Sequence, residues 1–301
     1  MKLAFRAKVP SCGIYNCLSR RIIFVVAPVE ILAQGLRSQQ ELKYESIPAM
    51  SMNMESPNVI SNSLYGPIIV NVNDHIGQRV MQDGYWAIED VALLREIASQ
   101  IIEKKGSCIF FDVGANIGTH TLALAKLGNK ISVQAFEAQK WVYYMICGTV
   151  SLNSLPNVSV RNSAVGETAG ELIRFKTPNY FASGGAFGSV EIKVPLFSDN
   201  QSMDWQGEEV VATITLDEQE GGVDLMKIDV EGMEDAVLRG GATKIMQYRP
   251  VVFLEIYKTD RAWVINFFKS LNYVGFLNRN FDLICFPIEV GWGLTNMQRV
   301  F

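Results

Sequence analysis

Four carboxylates and one glycine-spaced loop carry the chemistry that can be read from this chain. Asp112 stands two residues before the first glycine of Gly114-Ala115-Asn116-Ile117-Gly118. Glu137 follows 19 residues beyond Gly118, and Asp229 and Glu231 form a closely spaced pair further on. A carboxylate offers two acceptor oxygens and can take both hydroxyls of a ribose, which suits Glu137. A loop for a cofactor tail and an acid for its ribose imply an adenosine-type ligand. Asp112, at a strand tip, suits a cationic ammonium and would repel a pyrophosphate. Asn116 occupies the place where a dinucleotide loop usually has its second glycine. Both features favour S-adenosylmethionine, which has an ammonium, a carboxylate and a sulfonium but no phosphate. They count against NAD, whose pyrophosphate needs close approach to the backbone at a helix N-terminus. Methyl transfer requires alignment of the acceptor and exclusion of water, and a hydroxyl acceptor must also lose a proton. Asp229 and Glu231 are the candidate bases, and Asp229, at the end of an apolar strand, is also expected at the cofactor.

The elements that must hold these residues follow from apolar periodicity. Cys108 to Phe111 is a strand candidate that runs into the loop. A helical pattern follows, with apolar residues at Ile117, Leu122, Leu124, Ala125 and Leu127, stopped by Gly128-Asn129. Ile131 to Phe136 is a second strand and carries Glu137 at its tip. Lys140 to Asn153 suits a helix. Val158 to Val165 is a third strand whose end, Ser163-Ala164, would lie beside the adenine. Leu172 to Phe175, Ile192 to Leu196 and Val210 to Ile214 alternate like short strands. Between the first two lies Thr177 to Ser189, a glycine-containing segment that reads equally as an acceptor-binding lid or a plain surface loop. Val223 to Ile228 is a buried strand with Asp229 at its tip. Met233, Val237 and Leu238 mark a helix ended by Gly240-Gly241. Pro250 to Ile256 is a further strand and Ala262 to Leu271 has helical spacing. Tyr273 to Leu277 and Phe281 to Phe286 form a terminal antiparallel pair joined by an Asn-Arg-Asn turn. The sum is an α/β fold, a seven-stranded mixed sheet with helices on both faces.

These residues resemble a known family. Asp112-Val113-Gly114-Ala115-Asn116-Ile117-Gly118, Phe136-Glu137, Ala164-Val165-Gly166, Thr215-Leu216-Asp217 and Lys227-Ile228-Asp229-Val230-Glu231-Gly232 are similar, in order and spacing, to the motifs of the FkbM-type S-adenosylmethionine-dependent methyltransferases. The resemblance covers about residues 65 to 287, including a lead-in at Asp74 to Leu94. It implies a class I methyltransferase (Rossmann-like) fold and O-methylation of a hydroxyl of a sugar, glycan or natural product. Ala138 departs from the proline usual after the acid, a change of loop stiffness more than of chemistry.

Composition narrows the alternatives. Hydrophobic content of 49% with 19% charged residues is ordinary for a soluble globular protein. The net charge is -4 with no basic run, so no nucleic-acid partner is expected. Five scattered cysteines, Cys12, Cys17, Cys108, Cys147 and Cys285, read as reduced thiols of a cytoplasmic protein. They lack zinc spacing, and His75 and His120 are the only histidines, so no metal site is expected. His75 reads as a surface residue; His120, in the first turn after the loop, is within reach of the pocket but reads first as solvated or sheet-facing. Residues 1–63 read as an N-terminal extension, with 64–301 the methyltransferase domain. The extension contains an apolar run, Ile22 to Ala33, behind Arg20-Arg21. It is too short for a membrane span, which needs about 20 apolar residues, and is a poor match to a signal peptide. Residues 38 to 63, rich in Ser, Asn, Met and Gln, read as a linker or surface arm. Glu231 has a competing role in stabilising a helix start, and Glu234 reads as a first-turn helix acid. Glu255, an acid inside an apolar strand, needs a cleft or a buried cation. Two other function classes stay open: a nicotinamide-dependent oxidoreductase on the same fold, and a binding module that has lost catalysis.

Overall fold

Alternating apolar residues let the central strands feed two hydrophobic layers at once. A computed structural model describes residues 56–191, 204–278, 281–291 and 297–301. The N-terminal apolar run, the strand expected over 192–196 and most of the Asn-Arg-Asn turn lie outside the described residues. In chain order the strands and helices begin with β1 (Asn58–Ser63), β2 (Gly66–Asn71), α1 (His75–Asp83), α2 (Ile88–Lys105), β3 (Cys108–Val113), α3 (Thr119–Ala125), β4 (Ile131–Glu137) and α4 (Lys140–Leu152). They continue with β5 (Val158–Asn162), β6 (Ala164–Val165), β7 (Leu172–Pro178), β8 (Trp205–Ile214), β9 (Leu225–Ile228), α5 (Glu234–Gly240) and α6 (Ala242–Tyr248). The last are β10 (Val251–Glu255), α7 (Arg261–Ser270), β11 (Tyr273–Asn278), β12 (Asp282–Pro287) and β13 (Gln298–Arg299).

The main sheet has the order β13-β11-β12-β10-β9-β3-β4-β5. Strands β5, β4, β3, β9 and β10 are parallel, and β12, β11 and β13 each join antiparallel. One face packs Phe111, Val113, Met226 and Ile228 against Val237 and Leu238 of α5 and Val264 and Phe268 of α7. The other packs Phe110 and Leu225 against Val91, Leu94 and Ile97 of α2 and Leu124 of α3. Helices therefore cover both faces, as the near-continuous apolar strands require. The mixed α/β architecture is the expected one, with two differences of detail. The sheet has eight strands rather than seven, because Gln298–Arg299 adds to β11 opposite Phe276 and Leu277. The third strand, expected to run to Val165, breaks at Ser163, which donates its N–H to the Glu137 carbonyl (3.1 Å). Ala164–Val165 then joins β8 in a separate three-stranded sheet, β6-β8-β7.

β2, α1 and α2 carry no expectation from the sequence, and two more elements were not legible in it. Asn58–Ser63, placed in the linker by composition, pairs with β2 as an antiparallel hairpin. The Ser63 hydroxyl donates to the Gly66 carbonyl (2.7 Å) and pins its turn. The hairpin's inner side chains Ile68 and Val70 pack with Val80 of α1 and Ile117, Leu122 and Val142 beside the loop. The second element is the short helix α6, hidden behind Gly240-Gly241. Among the described residues, no helix is long and apolar enough to cross a membrane.

The parallel order β5-β4-β3-β9 sets four strand ends side by side. Ser163, Glu137, Gly114 and Asp229 follow or end those strands in that order. The crevice beyond carboxyl ends of parallel strands is where open α/β sheets bind ligands.

Candidate active site

Gly114 closes the first contact. Its φ is +79°, and a Cβ there would lie 1.8 Å from the Asp229 carbonyl oxygen, so only glycine lets β3 and β9 end this close together. Asn116 follows with φ 51°, and its N–H donates to Glu137 Oε2 (2.8 Å). The other Glu137 oxygen accepts the N–H of Gln139 (2.8 Å). Glu137 thus locks the glycine loop to the tip of β4. Burial pushes its carboxyl up to about 7, against the pull of those two N–H groups.

Gly114, Asn116, Glu137, Ser163, Ala164 and Asp229 all line one pocket, and Glu231 lines it too. Two expected site residues do not. Gly118 starts α3 with φ +89°, and a Cβ there would meet Ile146 at 2.7 Å, so its place is in packing. Asp112 is 0% exposed and stands behind the wall. It was expected to meet a ligand's ammonium, but the cation beside it belongs to the protein. Thr121 Oγ1 donates to Asp112 Oδ2 (2.6 Å), and the Lys227 ammonium lies 3.8 Å from Oδ1. Burial raises the Asp112 carboxyl, with Lys227 and Thr121 pulling it back.

Lys227 was missed as a site residue. Its signal was a single cation inside the apolar run Val223 to Ile228. It is 4% exposed, lines the pocket, and sits 3.2 Å from Asp229 Oδ2 and 3.2 Å from the Gly114 carbonyl oxygen. Burial would strip its proton, but Asp229 and Asp112 outweigh that and hold the ammonium above the usual lysine range.

Asp229 keeps a side chain 40% exposed toward the pocket. Glu231 adopts φ 54° and receives Lys258 Nζ at 2.6 Å, and Lys258 also bridges to Glu191 at 2.9 Å. Burial raises the Glu231 carboxyl, opposed by Lys258. Glu234 is the first-turn acid of α5, and its carboxylate folds back to accept the N–H groups of Val230 (3.1 Å) and Gly232 (3.2 Å) in the loop before the helix. Glu255 ends β10 beside this pair. Burial and the neighbouring acids, Asp229 first, push it up to about 8. One oxygen from each of Asp229, Glu231 and Glu255 lies within 4.8 Å of the others, a spacing at which one cation could sit. Lys227 and Lys258 already place an ammonium on two of the three.

His75 is exposed, as expected, and meets Trp86 edge-on at 5.5 Å. His120 is not solvated: it is 7% exposed and lines the pocket, and its Nε2 is buried with no hydrogen-bond partner. Its ring is held neutral, by burial first and the Lys227 charge second. The far end of the Thr177 to Ser189 segment also reaches the site. Gly188 lines the pocket, and a Cβ there would lie 2.5 Å from Asn116 Nδ2. Phe187 N–H donates to Asp74 Oδ1 (2.9 Å), and Gln139 Nε2 donates to the Phe187 carbonyl (2.7 Å). This end of the segment is a fixed wall over the loop. Ile76 of α1 and Trp86, in the connection between α1 and α2, extend that wall.

The sequence profile of the methyltransferase FkbM domain matches residues 112–275, more than half of the 301-residue chain. No curated protein sequence matches the chain. Among solved structures, methyltransferase FkbM of Methylobacillus flagellatus KT is similar at 18% identity and a TM-score of 0.44, over 60% of this chain and 43% of that one. The chain therefore spans less than half the length of that protein. An rRNA methylase of Streptococcus thermophilus matches at 11% identity and a TM-score of 0.38, over 66% of this chain and 93% of that one. Precorrin-6y C5,15-methyltransferase of Geobacter metallireducens GS-15 matches at 12% identity and a TM-score of 0.36, over 64% and 85%. With its glycine loop, strand-tip acids and Lys-Ile-Asp-Val-Glu-Gly segment all inside the span that the profile matches, the chain belongs to the FkbM-domain family of methyltransferases.

Proposed function

We propose that the protein is an S-adenosylmethionine-dependent O-methyltransferase acting on a hydroxyl of a sugar, glycan or natural product. The observation that carries the reading is the pocket wall itself: Glu137 fastened to the Asn116 N–H, with Ser163 and Ala164 on one side and Gly114 and Asp229 on the other. The donor set fits the cofactor. Glu137 has lone pairs left on both oxygens for the ribose hydroxyls, since each so far accepts one N–H. Ser163 and Ala164 offer a small-residue surface for the adenine. Gly114 and Asn116 let the chain approach closely, and Asp229 faces the amino-acid end. Asp112 and Gly118 support this wall from behind. When bound, the cofactor supplies an electrophilic methyl carbon.

The protein's own tasks are to align the acceptor, exclude water and take a proton. Of the groups at the pocket, we assign Asp229 and Glu231 to receive the hydroxyl proton. Lys258 fixes the Glu231 side chain, so its carboxylate is pre-positioned. The net charge of -4 without a basic run supports a small-molecule or glycan acceptor over a nucleic acid. We assign residues 64–301 to the methyltransferase domain, with β1 as the last piece of the 1–63 extension laid against β2. Free thiols at Cys108, Cys147 and Cys285 support a cytoplasmic setting.

Three outcomes are expected. S-adenosylhomocysteine should raise the melting temperature and NAD should not, because a ligand that binds only the native state stabilises it. A shift with NAD alone would reverse the cofactor assignment.

The second outcome concerns the base. In a transfer assay with a labelled methyl donor and a hydroxylated glycan acceptor, Glu231→Gln should lower turnover by about 10²-fold or more. Cofactor affinity should barely change. Turnover within twofold of the parent would remove Glu231 from the chemistry.

The third is a pH effect at Glu137. Its folded carboxyl is raised to about 7, so it is neutral below that pH and a full double acceptor above it. Affinity for S-adenosylhomocysteine should fall as pH drops from 8 to 6. In Glu137→Gln it should be about tenfold weaker or more at pH 8, and flat across the same range. A variant that keeps the parent's pH profile would place the ribose elsewhere.

A further inference from the structure

The strand order gives the pocket a direction. Ser163 and Ala164 follow β5, Glu137 ends β4, and Gly114 and Asp229 follow β3 and β9. With adenine at Ser163 and ribose at Glu137, the transferable methyl lies toward Asp229, and the acceptor docks beyond it.

One aromatic ring of the pocket wall comes from outside the main sheet. Trp86 lies in the connection between α1 and α2, outside the span 112–275 that the family profile matches. It packs against the cluster that holds Val80, Ile117 and Phe187 and meets the His75 ring edge-on at 5.5 Å. It is only half-buried there, and it lines the pocket. The next residue fixes its backbone: Ala87 starts α2 with φ 46°, a left-handed conformation uncommon for a residue with a side chain. From there α2 leads to the acceptor end. Asp90, in its first turn, accepts the Asn278 side-chain amide at the tip of β11 (3.0 Å). Burial raises the Asp90 carboxyl, Asn278 and Lys227 pull it back, and the charge of Asp229 adds to the rise. Asp90 is thus within electrostatic reach of Asp229, and Trp86 stands one turn before it along the chain.

We propose that Trp86 is a specificity-determining residue for the acceptor: its indole face stacks on the C–H face of a neutral pyranose ring while Asp229 and Glu231 take the hydroxyls at the ring's edge. The inference rests on the O-methyltransferase reading above and narrows its acceptor. An indole offers a large apolar surface with a negative face, which suits polarised C–H groups. A sugar ring presents such a face with hydroxyls around its rim, and carboxylates accept hydroxyl hydrogens. An anionic acceptor would bring its charge against Asp229 and Glu231. A phenol loses its proton with a pKa of about 10, whereas an alcohol holds its proton far more tightly, so paired carboxylates at the pocket serve an alcohol.

Labelled methyl transfer from S-adenosylmethionine reads the acceptor class. The probes are the methyl pyranosides of glucose, galactose, mannose and fucose, the methyl uronides of glucose and galactose, the open-chain alditols, and catechol. The parent should methylate at least one neutral pyranoside, with kcat/KM about tenfold or more above the uronides, alditols and catechol. Trp86→Ala should raise KM for that pyranoside by about tenfold or more, while calorimetry shows S-adenosylhomocysteine affinity within about twofold of the parent. Trp86→Phe, which keeps a smaller ring, should fall between the two and carries the test if the Ala variant does not fold. An unchanged KM in both variants would overturn the proposal. So would a matching loss of cofactor affinity, which would place the indole at the cofactor. Preference for a uronide, an alditol or catechol would overturn it while leaving methyl transfer intact. Binding of S-adenosylhomocysteine separates the two levels of the argument. If the parent does not bind it, the cofactor reading itself is wrong. If it binds and no pyranoside is methylated, the Trp86 inference alone is overturned.

Discussion

A charged ammonium buried inside a parallel sheet is costly to place, and the site of this protein is organised around one. Lys227 pairs in register with Asp112 across β3 and β9, and its Nζ reaches Asp229 and the Gly114 carbonyl. Moving an isolated charge of this kind out of water would cost several kcal/mol even after relaxation. Two carboxylates and a carbonyl offset that cost together, and none of them could do so alone. The arrangement works only if the tips of β3 and β9 stay within reach of one ammonium. The absence of a side chain at Gly114 is what permits it, since its α-carbon is pressed against the Asp229 carbonyl. The geometry of the pocket wall is therefore a consequence of charge balance behind it.

From this centre the other site features follow in order. Asp229 is drawn to the floor of the pocket by Lys227 yet keeps part of its side chain exposed. The neighbouring carboxylate Glu231 takes a second ammonium from Lys258. Glu255, third in the group, is raised by burial first and by its acidic neighbours after that. On the far side of the loop, Glu137 uses both oxygens to hold Asn116 and Gln139. Gln139 in turn holds the Phe187 carbonyl, and Phe187 is fastened to Asp74 at the start of α1. One chain of hydrogen bonds thus runs from Glu137 to the wall that covers the pocket. The positive field of Lys227 also reaches His120, which helps keep its ring neutral.

Much of this was legible in the sequence because it is local. The apolar run into Gly114, the 19-residue step from Gly118 to Glu137, and the strand ending at Asp229 depend on neighbours along the chain. What was not legible depends on neighbours across the sheet. Nothing local says that Asp112 turns toward Thr121 and Lys227 rather than toward a ligand. The same holds for Lys227, whose partners come from β3 and from the loop after it. His120 could be read locally as solvated, sheet-facing or within reach of the pocket, and only the fold shows that it lines the pocket with Phe136 and Val113 while its Nε2 is sealed from water. Asn58–Ser63 reads as polar linker because four of its six residues are Asn or Ser, and its two apolar residues, Val59 and Ile60, stay exposed while it pairs with β2. The added eighth strand is two residues long, too short for any periodic pattern.

The Lys227 ammonium holds the tips of β3 and β9 as one pocket wall, and Lys227→Met removes that hold. The variant keeps much of the side chain's bulk and removes the charge. It leaves Asp112 buried with Thr121 as its remaining close partner. Losing one partner of a buried ion pair costs about 3–5 kcal/mol, so denaturant unfolding at pH 8 should show a loss of that order, along with weakened binding of S-adenosylhomocysteine. The pH dependence supplies the signature. Burial raises the Asp112 carboxyl, so the folded variant takes up a proton at higher pH than the unfolded chain does. Folding then binds protons, and the stability deficit should narrow as pH falls from 8 toward 5. A variant as stable as the parent across that range, with unchanged cofactor affinity, would contradict the account.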